Sequence, residues 1–476
     1  MAQFPFVGAS YATRSKNFDA QRCVNLFPSL GESGTSKSVA ALYGTPGLRL
    51  WLALGTGTVR GMLRFNPLIG VIIRNDTVYK VTPAGVSTPI GSVLAGEGQV
   101  SMASNGIVIM VVTGGTDGYF IDPVAGTVTP IADSDFVGGD KVSFIDGYFL
   151  WNKLGTGQFQ ITSVYGTTIE GLDFATAEGA PDNLLSLIVD HREVWLFGET
   201  TTEVYFNSGN QDFPFDRIQG AFLEHGILAS DSVAKMDNSV FWLAADERGQ
   251  GMVMRAVGYQ PQRVSTHALE FAISQMTTVT DAIAYTYQQE GHNFYVLTFP
   301  TANQTWVFDA STNLWHERAW RDPVTNVLKR HRSNCQMQFA GYTLVGDFEN
   351  GNVYVMDMDT FTDNGDPIAR IRTCPHINSD YKWQFFSALQ IDMQTGVGLD
   401  TGQGSDPQAM LQWSDDGGYT FGTEFWKSFG RIGERRTRVR WRRLGKSRDR
   451  VFKLTITDPV RVAIIGASVE FTKGKT

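Results

Sequence analysis

A short run of β-branched and aromatic residues returns along the middle of the chain at the interval of one small sheet. It occurs at 78–81, 118–122, 158–161, 203–206, 252–255, 305–309 and 353–357, so successive runs start 40 to 53 residues apart. Four short strands with their turns need about 40 to 45 residues, the length of one propeller blade. Each run follows a second strand that itself follows a polar turn, as at Asn105-Gly106, Asp146-Gly147, Asp190-His191 and Asp237-Asn238. Isolated four-stranded sheets would expose unpaired edges, and closing them into a ring removes most of that hazard. The expectation is an all-β chain built on a β-propeller of six to eight blades over 51–375. The 50 glycines support many tight turns, and a charged fraction of only 18% with 12% aromatics suggests a surface largely covered by other surfaces.

Three segments break the repeat. Residues 1–50 carry prolines at 5, 28 and 46 and a Gly/Ser-rich stretch over 31–38, and they end in the turn Gly44-Thr45-Pro46-Gly47. They read as an extended arm that bridges subunits, with Asn25, Pro46 and Gly47 as its contact residues. Residues 265–276 place Leu269, Ala272, Ile273 and Met276 on one helical face behind Thr266, a candidate N-cap. Residues 376–476 hold longer alternating strands and predict a β-sandwich or jelly-roll-like domain.

Charge is uneven. The chain has 40 Lys and Arg against 48 Asp and Glu, a net of -8. Between Arg431 and Arg450 lie nine Arg and Lys446 against Glu434 and Asp449, or +8, which leaves -16 elsewhere. On a strand, Arg436, Arg438, Arg440 and Arg442 would line one face, flanked by Arg435 and Arg443, while Val439 and Trp441 pack inward. An unmatched stripe of like charge is costly, so contact with an acidic neighbouring protein, contact with phosphate and a solvated face all compete. Arg suits the first two because its planar fork binds carboxylate or phosphate bidentately.

Motifs for chemistry are sparse. Ser414, Asp416, Gly418 and Thr420 fit the S-x-D-x-G-x-T-F pattern of the Asp-box of sialidase-type propellers, a hairpin turn in which side chains bond the backbone. The box occurs once, outside the repeat, and predicts a structural turn. There is no GxxxxGK[ST], GxSxG or HExxH, and the seven histidines show no metal-ligand spacing. No catalytic residue, metal or cofactor is expected, and the chain reads as no enzyme. Cys23, Cys335 and Cys374 read as reduced, buried thiols of a protein made in a cytosol. The first sixteen residues do not resemble a signal peptide, and the longest apolar runs are of strand length, too short to span a membrane.

Taken in order, six stretches resemble one family. They are 22–28 (RCVNLFP), 43–48 (YGTPGL), 98–103 (GQVSMA), 261–270 (PQRVSTHALE), 413–418 (WSDDGG) and 440–445 (RWRRLG). The series is similar to the packaged-DNA stabilisation proteins, or tail hub and nozzle proteins, of short-tailed phages. The resemblance implies a virion protein assembled in host cytoplasm as a homo-oligomeric ring, expected to be a hexamer. The ring would sit below the portal and its adaptor, neighbour the tail needle or plug and the tailspikes, and retain packaged DNA until ejection. DNA would pass without sequence specificity. Because a propeller's own tunnel is narrow, the conduit would lie between subunits, with the Arg face of 435–443 turned away from the axis. Two rival readings are a glycan-binding or glycan-cleaving propeller and a monomeric adhesion module for anionic surfaces.

Overall fold

The computed structural model describes residues 2–245 and 248–474. Its body is a ring of seven antiparallel sheets. Blade 1 comprises Val59–Asn66, Ile69–Arg74, Thr77–Val81 and Ser87–Ser92. Blades 2, 3 and 4 begin at Ser101–Ser104, Val142–Ile145 and Leu184–Asp190. Blades 5, 6 and 7 have Ala234–Met236, Ile283–Gln289 and Ser333–Phe339 as innermost strands. In blade 5 a second short strand, Gly226–Ile227, shares the same partner as Ala234–Met236. The recurrent sequence run is the third strand of every blade, from Thr77–Val81 to Asn350–Asp357. Turns from first to second strand take left-handed backbone at Asp146-Gly147, His191-Arg192, Asp237-Asn238 and Glu290-Gly291. That conformation matches the twist of two-residue hairpins.

Blade 7 lacks a fourth strand of its own sequence. Gly47–Thr56 supplies it, pairing antiparallel with Asn350–Asp357 from Gly47↔Asp357 to Thr56↔Asn350. The ring is therefore closed by a strand that precedes blade 1. Gly47 is held tightly there: its N–H donates to Thr360 O at 3.0 Å. A Cβ at Gly47 would clash with the carbonyl oxygens of Thr360 and Thr362.

The second body is a β-sandwich drawn from both ends of the chain. One sheet runs Leu26–Leu30, Ala40–Gly44, Ala463–Lys473, Gln384–Met393 and Val439–Arg442, with Ala2–Phe4 beside Ala463–Lys473. The other runs Ala20–Val24, Arg370–Thr373, Asp449–Ile456, Gln408–Ser414 and Phe425–Ser428. Phe6, Cys23, Leu26 and Leu42 lie in the same buried cluster as Leu389, Phe452 and Val469. Ala20–Val24 also meets blade 6, where Val24 pairs with Glu317.

Arg372, fully buried, fixes this arrangement. Its guanidinium donates to Phe6 O at 2.6 Å, Ala9 O at 2.9 Å and the Gln21 side chain at 2.6 Å. The division expected at 50 and 375 thus differs from the structure. Residues 2–44 belong to the sandwich, residues 47–56 belong to the propeller, and sandwich strands resume at Arg370. The one α-helix among the described residues, His267–Ser274, buries Ala268, Leu269 and Ile273, and Thr266 Oγ1 accepts from Leu269 N at 3.3 Å.

Asp363, in the link between the bodies, is 3% exposed, and its Oδ1 has no partner among the described residues. Burial pushes its carboxyl up to about 7, opposed by Arg370. A folded-state value above the ordinary carboxyl range means that the native state holds the proton more tightly than the unfolded chain. The stabilisation is present in acid and is lost as pH rises through about 7. Asp363→Asn is expected to flatten the fall in denaturant midpoint between about pH 4 and pH 7; an unchanged profile would remove Asp363 as its source. Gly47→Ala is expected to cost about 1–3 kcal/mol by urea unfolding, because the opposing atoms are backbone and cannot swing aside.

Candidate assembly surface

The basic segment lies on one edge of the sandwich. Val439–Arg442 is the last strand of one sheet and Phe425–Ser428 the last of the other. Trp441 Nε1 ties them by donating to Phe425 O at 2.7 Å. Within Val439–Arg442 the expected alternation holds, with Val439 and Trp441 buried and Arg442 exposed. The strand is shorter than expected, however. Gly430 and Gly433 take left-handed backbone (φ 105° and 81°). They turn the chain so that Arg435, Arg436 and Arg438 sit on an exposed loop. Arg443, at φ 60°, turns out of the strand. Arg440 is half-buried and pairs with Glu470 at 2.8 Å. Arg435, Arg436, Arg438, Arg442 and Arg443 have no ion-pair partner among the described residues.

One arginine of the segment has a different role. Arg450 is 1% exposed and forks onto both carboxylate oxygens of Asp415 at 2.7 and 2.8 Å. Its guanidinium lies 4.6 Å from the Phe386 ring centroid and 5.2 Å from that of Trp413. Asp415 falls inside the Asp-box-like turn, so this turn anchors a buried cation. Residue counting gave no sign of it; the only hint was a carboxylate beside the motif's own Asp.

The motif residues close on one another. Ser414 Oγ donates to Asp416 Oδ1 at 2.6 Å and accepts from Gly418 N at 2.8 Å. Asp416 also accepts from Tyr419 N at 3.1 Å, Thr420 N at 2.9 Å and Thr420 Oγ1 at 2.5 Å. The hydrogen bonds from Ser414 and Thr420 hold its carboxyl well below the ordinary carboxylate range. Gly417 and Gly418 take the left-handed backbone this turn requires.

Asn25, Pro46 and Gly47 are buried inside the subunit, which corrects the expectation that they form an arm contact to another subunit. Asn25 stands at φ 52°. Its amide donates to Ala319 O at 2.8 Å and Ala369 O at 2.9 Å and accepts from Ala319 N at 2.9 Å. It therefore joins blade 6 to the strand that opens the C-terminal half of the sandwich.

At the propeller axis the innermost strands leave a cavity of about 250 Å3 lined by Lys141, Asp231, Tyr285 and Asn334 among others. Lys141 Nζ reaches Asp140 and Asp231, both at 3.0 Å, and so links blade 3 to the turn before the innermost strand of blade 5. A larger cleft of about 620 Å3 separates blade 6 from the outer face of the sandwich, with Arg22, Lys453, Tyr419 and Trp426 in its walls. Among the described residues no group of His, Cys, Asp and Glu could hold a metal ion, and no helix is long and apolar enough to cross a membrane. All three cysteines are free thiols, and burial pushes each up to about 12.

Asp415→Ala would leave the buried Arg450 without its carboxylate but with the Leu444 and Lys446 carbonyls, a loss of about 1–3 kcal/mol because Asp415 itself is 43% exposed. The expected result is a loss of that size in urea unfolding, largely recovered by pairing Asp415→Ala with Arg450→Met. A double variant as unstable as the single one would contradict the assignment.

Comparison with known proteins completes the picture. No curated protein matches the chain by sequence. Solved structures with a similar shape include the WD40 β-propeller domain of Doa1, at 11% identity and TM-score 0.38, covering 65% of this chain and 96% of that one. The computationally designed Ika8 protein matches at 13% identity and TM-score 0.38, covering 71% and 100%. BamB from Moraxella catarrhalis matches at 9% identity and TM-score 0.40, covering 70% and 97%. The family model described as bacteriophage P22 Gp10, beta-propeller, matches residues 2–361. The model described as bacteriophage P22 Gp10, beta-sandwich, matches residues 369–472. The chain belongs to the family of bacteriophage P22 Gp10, the packaged-DNA stabilisation proteins of short-tailed phages, and is a structural protein of the phage tail.

Proposed function

We propose that the chain assembles head to tail into a ring of six copies beneath the portal and its adaptor. The ring would form part of the DNA channel and retain packaged DNA until ejection. The observation that carries this reading is the narrow propeller axis. A cavity of about 250 Å3 has room for roughly eight waters at ~30 Å3 each. A duplex whose major groove alone is about 12 Å wide does not fit there. Any conduit must therefore be built between copies. Cyclic head-to-tail contact closes such a hole without requiring the symmetry of the portal.

Charge agrees with a sliding channel. A cationic wall would hold phosphates at many points and slow passage. With the Arg-rich segment directed at a protein neighbour, the wall is neutral or acidic. The adaptor, the needle or plug and the tailspikes are the neighbours this placement implies. The three thiols, kept reduced and enclosed, suit assembly in host cytoplasm. The role is structural and non-enzymatic. Glycan binding or cleavage draws on the turn at 414–420, whose Asp416 carboxylate is taken up by its own loop.

Imaging of intact particles tests the proposal. Six copies around an axial channel, with Arg435, Arg436 and Arg438 facing away from the DNA, are expected. A single copy on the axis, or those arginines lining the bore, would contradict it.

A further inference from the structure

Two exposed patches of opposite charge occupy separate parts of this one chain, one on the propeller rim and one on the sandwich. The first is the rim of blades 3 and 4. Between Glu170 and Glu224 the sequence has eleven acidic residues against Arg192 and Arg217, or -9. Several of these are used internally: Glu203 is buried beside Arg217, and Asp182 caps Thr200 and Thr201. Glu170, Asp173, Glu178, Asp212, Asp216 and Glu224 have no ion-pair partner among the described residues.

The outer strands here are also irregular in the same way. In blade 3 the ladder jumps from Gln160↔Phe174 to Thr162↔Ile169, so 170–173 bulge outward. In blade 4 it jumps from Glu203↔Phe222 to Tyr205↔Arg217, so 218–221 leave the ladder, with Gln219 and Gly220 exposed and Ala221 turned into the core. Bulges end strand pairing and re-aim side chains. Leu172 stands 88% exposed on the first bulge, with Phe174, Phe206 and Phe222 exposed nearby on the same two blades.

The second patch is the sandwich edge made by Phe425–Ser428, Val439–Arg442 and the loop between them. Phe425 and Ile432 are exposed among Arg431, Arg435, Arg436, Arg438, Arg442 and Arg443, while Trp426 of the same strand turns to the cleft beside blade 6. In each sandwich sheet this edge is the strand farthest from those that meet the propeller. The sandwich attaches where blades 6 and 7 meet, and blade 3 lies three blades away in either direction around the ring. One chain cannot bring its own two patches together.

We propose that the sandwich edge of one copy docks on the rim of blades 3 and 4 of the next copy. The inference rests on the ring reading and names the contact that closes it. The occupant follows from complementarity. Six acidic side chains without an ion-pair partner on the rim match six such arginines on the edge, and each patch combines exposed apolar side chains with a predominance of one sign of charge. Exposed ion pairs contribute little one by one. The apolar contacts supply the attraction, while the charges fix the register and exclude the like-on-like pairing of two rims or two edges. Because the two patches differ, the contact is heterologous and propagates until rotation closes it.

The test uses particles assembled with variant chains, scored by copies per particle from quantitative mass spectrometry and by imaging. Glu170→Arg with Asp216→Arg, and separately Arg436→Glu with Arg438→Glu, should each lower incorporation roughly tenfold or more, as like charges meet across the contact. All four changes in one chain should restore it. An independent pair, Asp212→Arg with Arg442→Glu, should behave alike, and unchanged unfolding midpoints would exclude misfolding. Rim variants with normal incorporation, or a fourfold variant as defective as its parents, would overturn the contact. A defect confined to the arginine variants would mean that the edge holds a different tail protein. Unaltered chains present at fewer copies than a ring needs would instead remove the ring reading itself.

Discussion

The pairing of Gly47–Thr56 with Asn350–Asp357 is the constraint on which the rest of the molecule depends. Seven blades can share one interior only if the last is completed, and the completing strand comes from the other end of the chain. Blade 7 thereby contributes Val353 and Val355 to the apolar layer it shares with Leu54, Val59 and Ile72. It also contributes Tyr354 and Met356 to the layer it shares with Leu48 and with Phe294 of blade 6. Closure leaves the preceding segment beside blade 6 and the start of the C-terminal strands. There Ala20–Val24, Leu26–Leu30 and Ala40–Gly44 complete the sandwich.

Buried polar groups give that junction its specificity. Asn25 and Arg372 together satisfy backbone groups from blade 6, the N-terminal segment and the first C-terminal sandwich strand. Buried polar groups without partners are expensive, so such networks favour one arrangement over near alternatives. Not every group there is matched. His316 is fully buried with both ring nitrogens unpartnered, and burial lowers its pKa well below the ordinary histidine value, so it stays neutral beside Arg318. Asp363 holds its proton up to about pH 7 for a related reason, since burial outweighs the attraction of Arg370.

The propeller was legible because its third strands repeat, with apolar residues bounded by Asn, Asp and Gly turns. The helix was legible from Thr266, Leu269 and Ile273. Ring closure was not, because nothing local in Gly47–Thr56 points to a partner some 300 residues away, and the turn Gly44-Thr45-Pro46-Gly47 reads equally well as the end of a free arm. Asn25 has the left-handed tolerance of a turn residue, and only tertiary structure shows it binding two distant carbonyls. The basic segment was legible as charge but not as geometry. Identical arginines become a buried anchor at Arg450, a half-buried pair at Arg440 and free cations at Arg436 and Arg438, according to whether Asp415 or Glu470 lies within reach.

The propeller and the sandwich share strand pairing where Ala20–Val24 meets blade 6, so the two bodies are expected to open together. Native-state hydrogen exchange tests that coupling most directly. Amides of Gly47–Thr56, Asn350–Asp357, Ala20–Val24 and Arg370–Thr373 are expected to exchange only through one shared global opening, with the same denaturant dependence. Early exchange of Gly47–Thr56 and Ala20–Val24, with the propeller and the sandwich then opening at separate denaturant concentrations, would show two independent bodies and contradict the account.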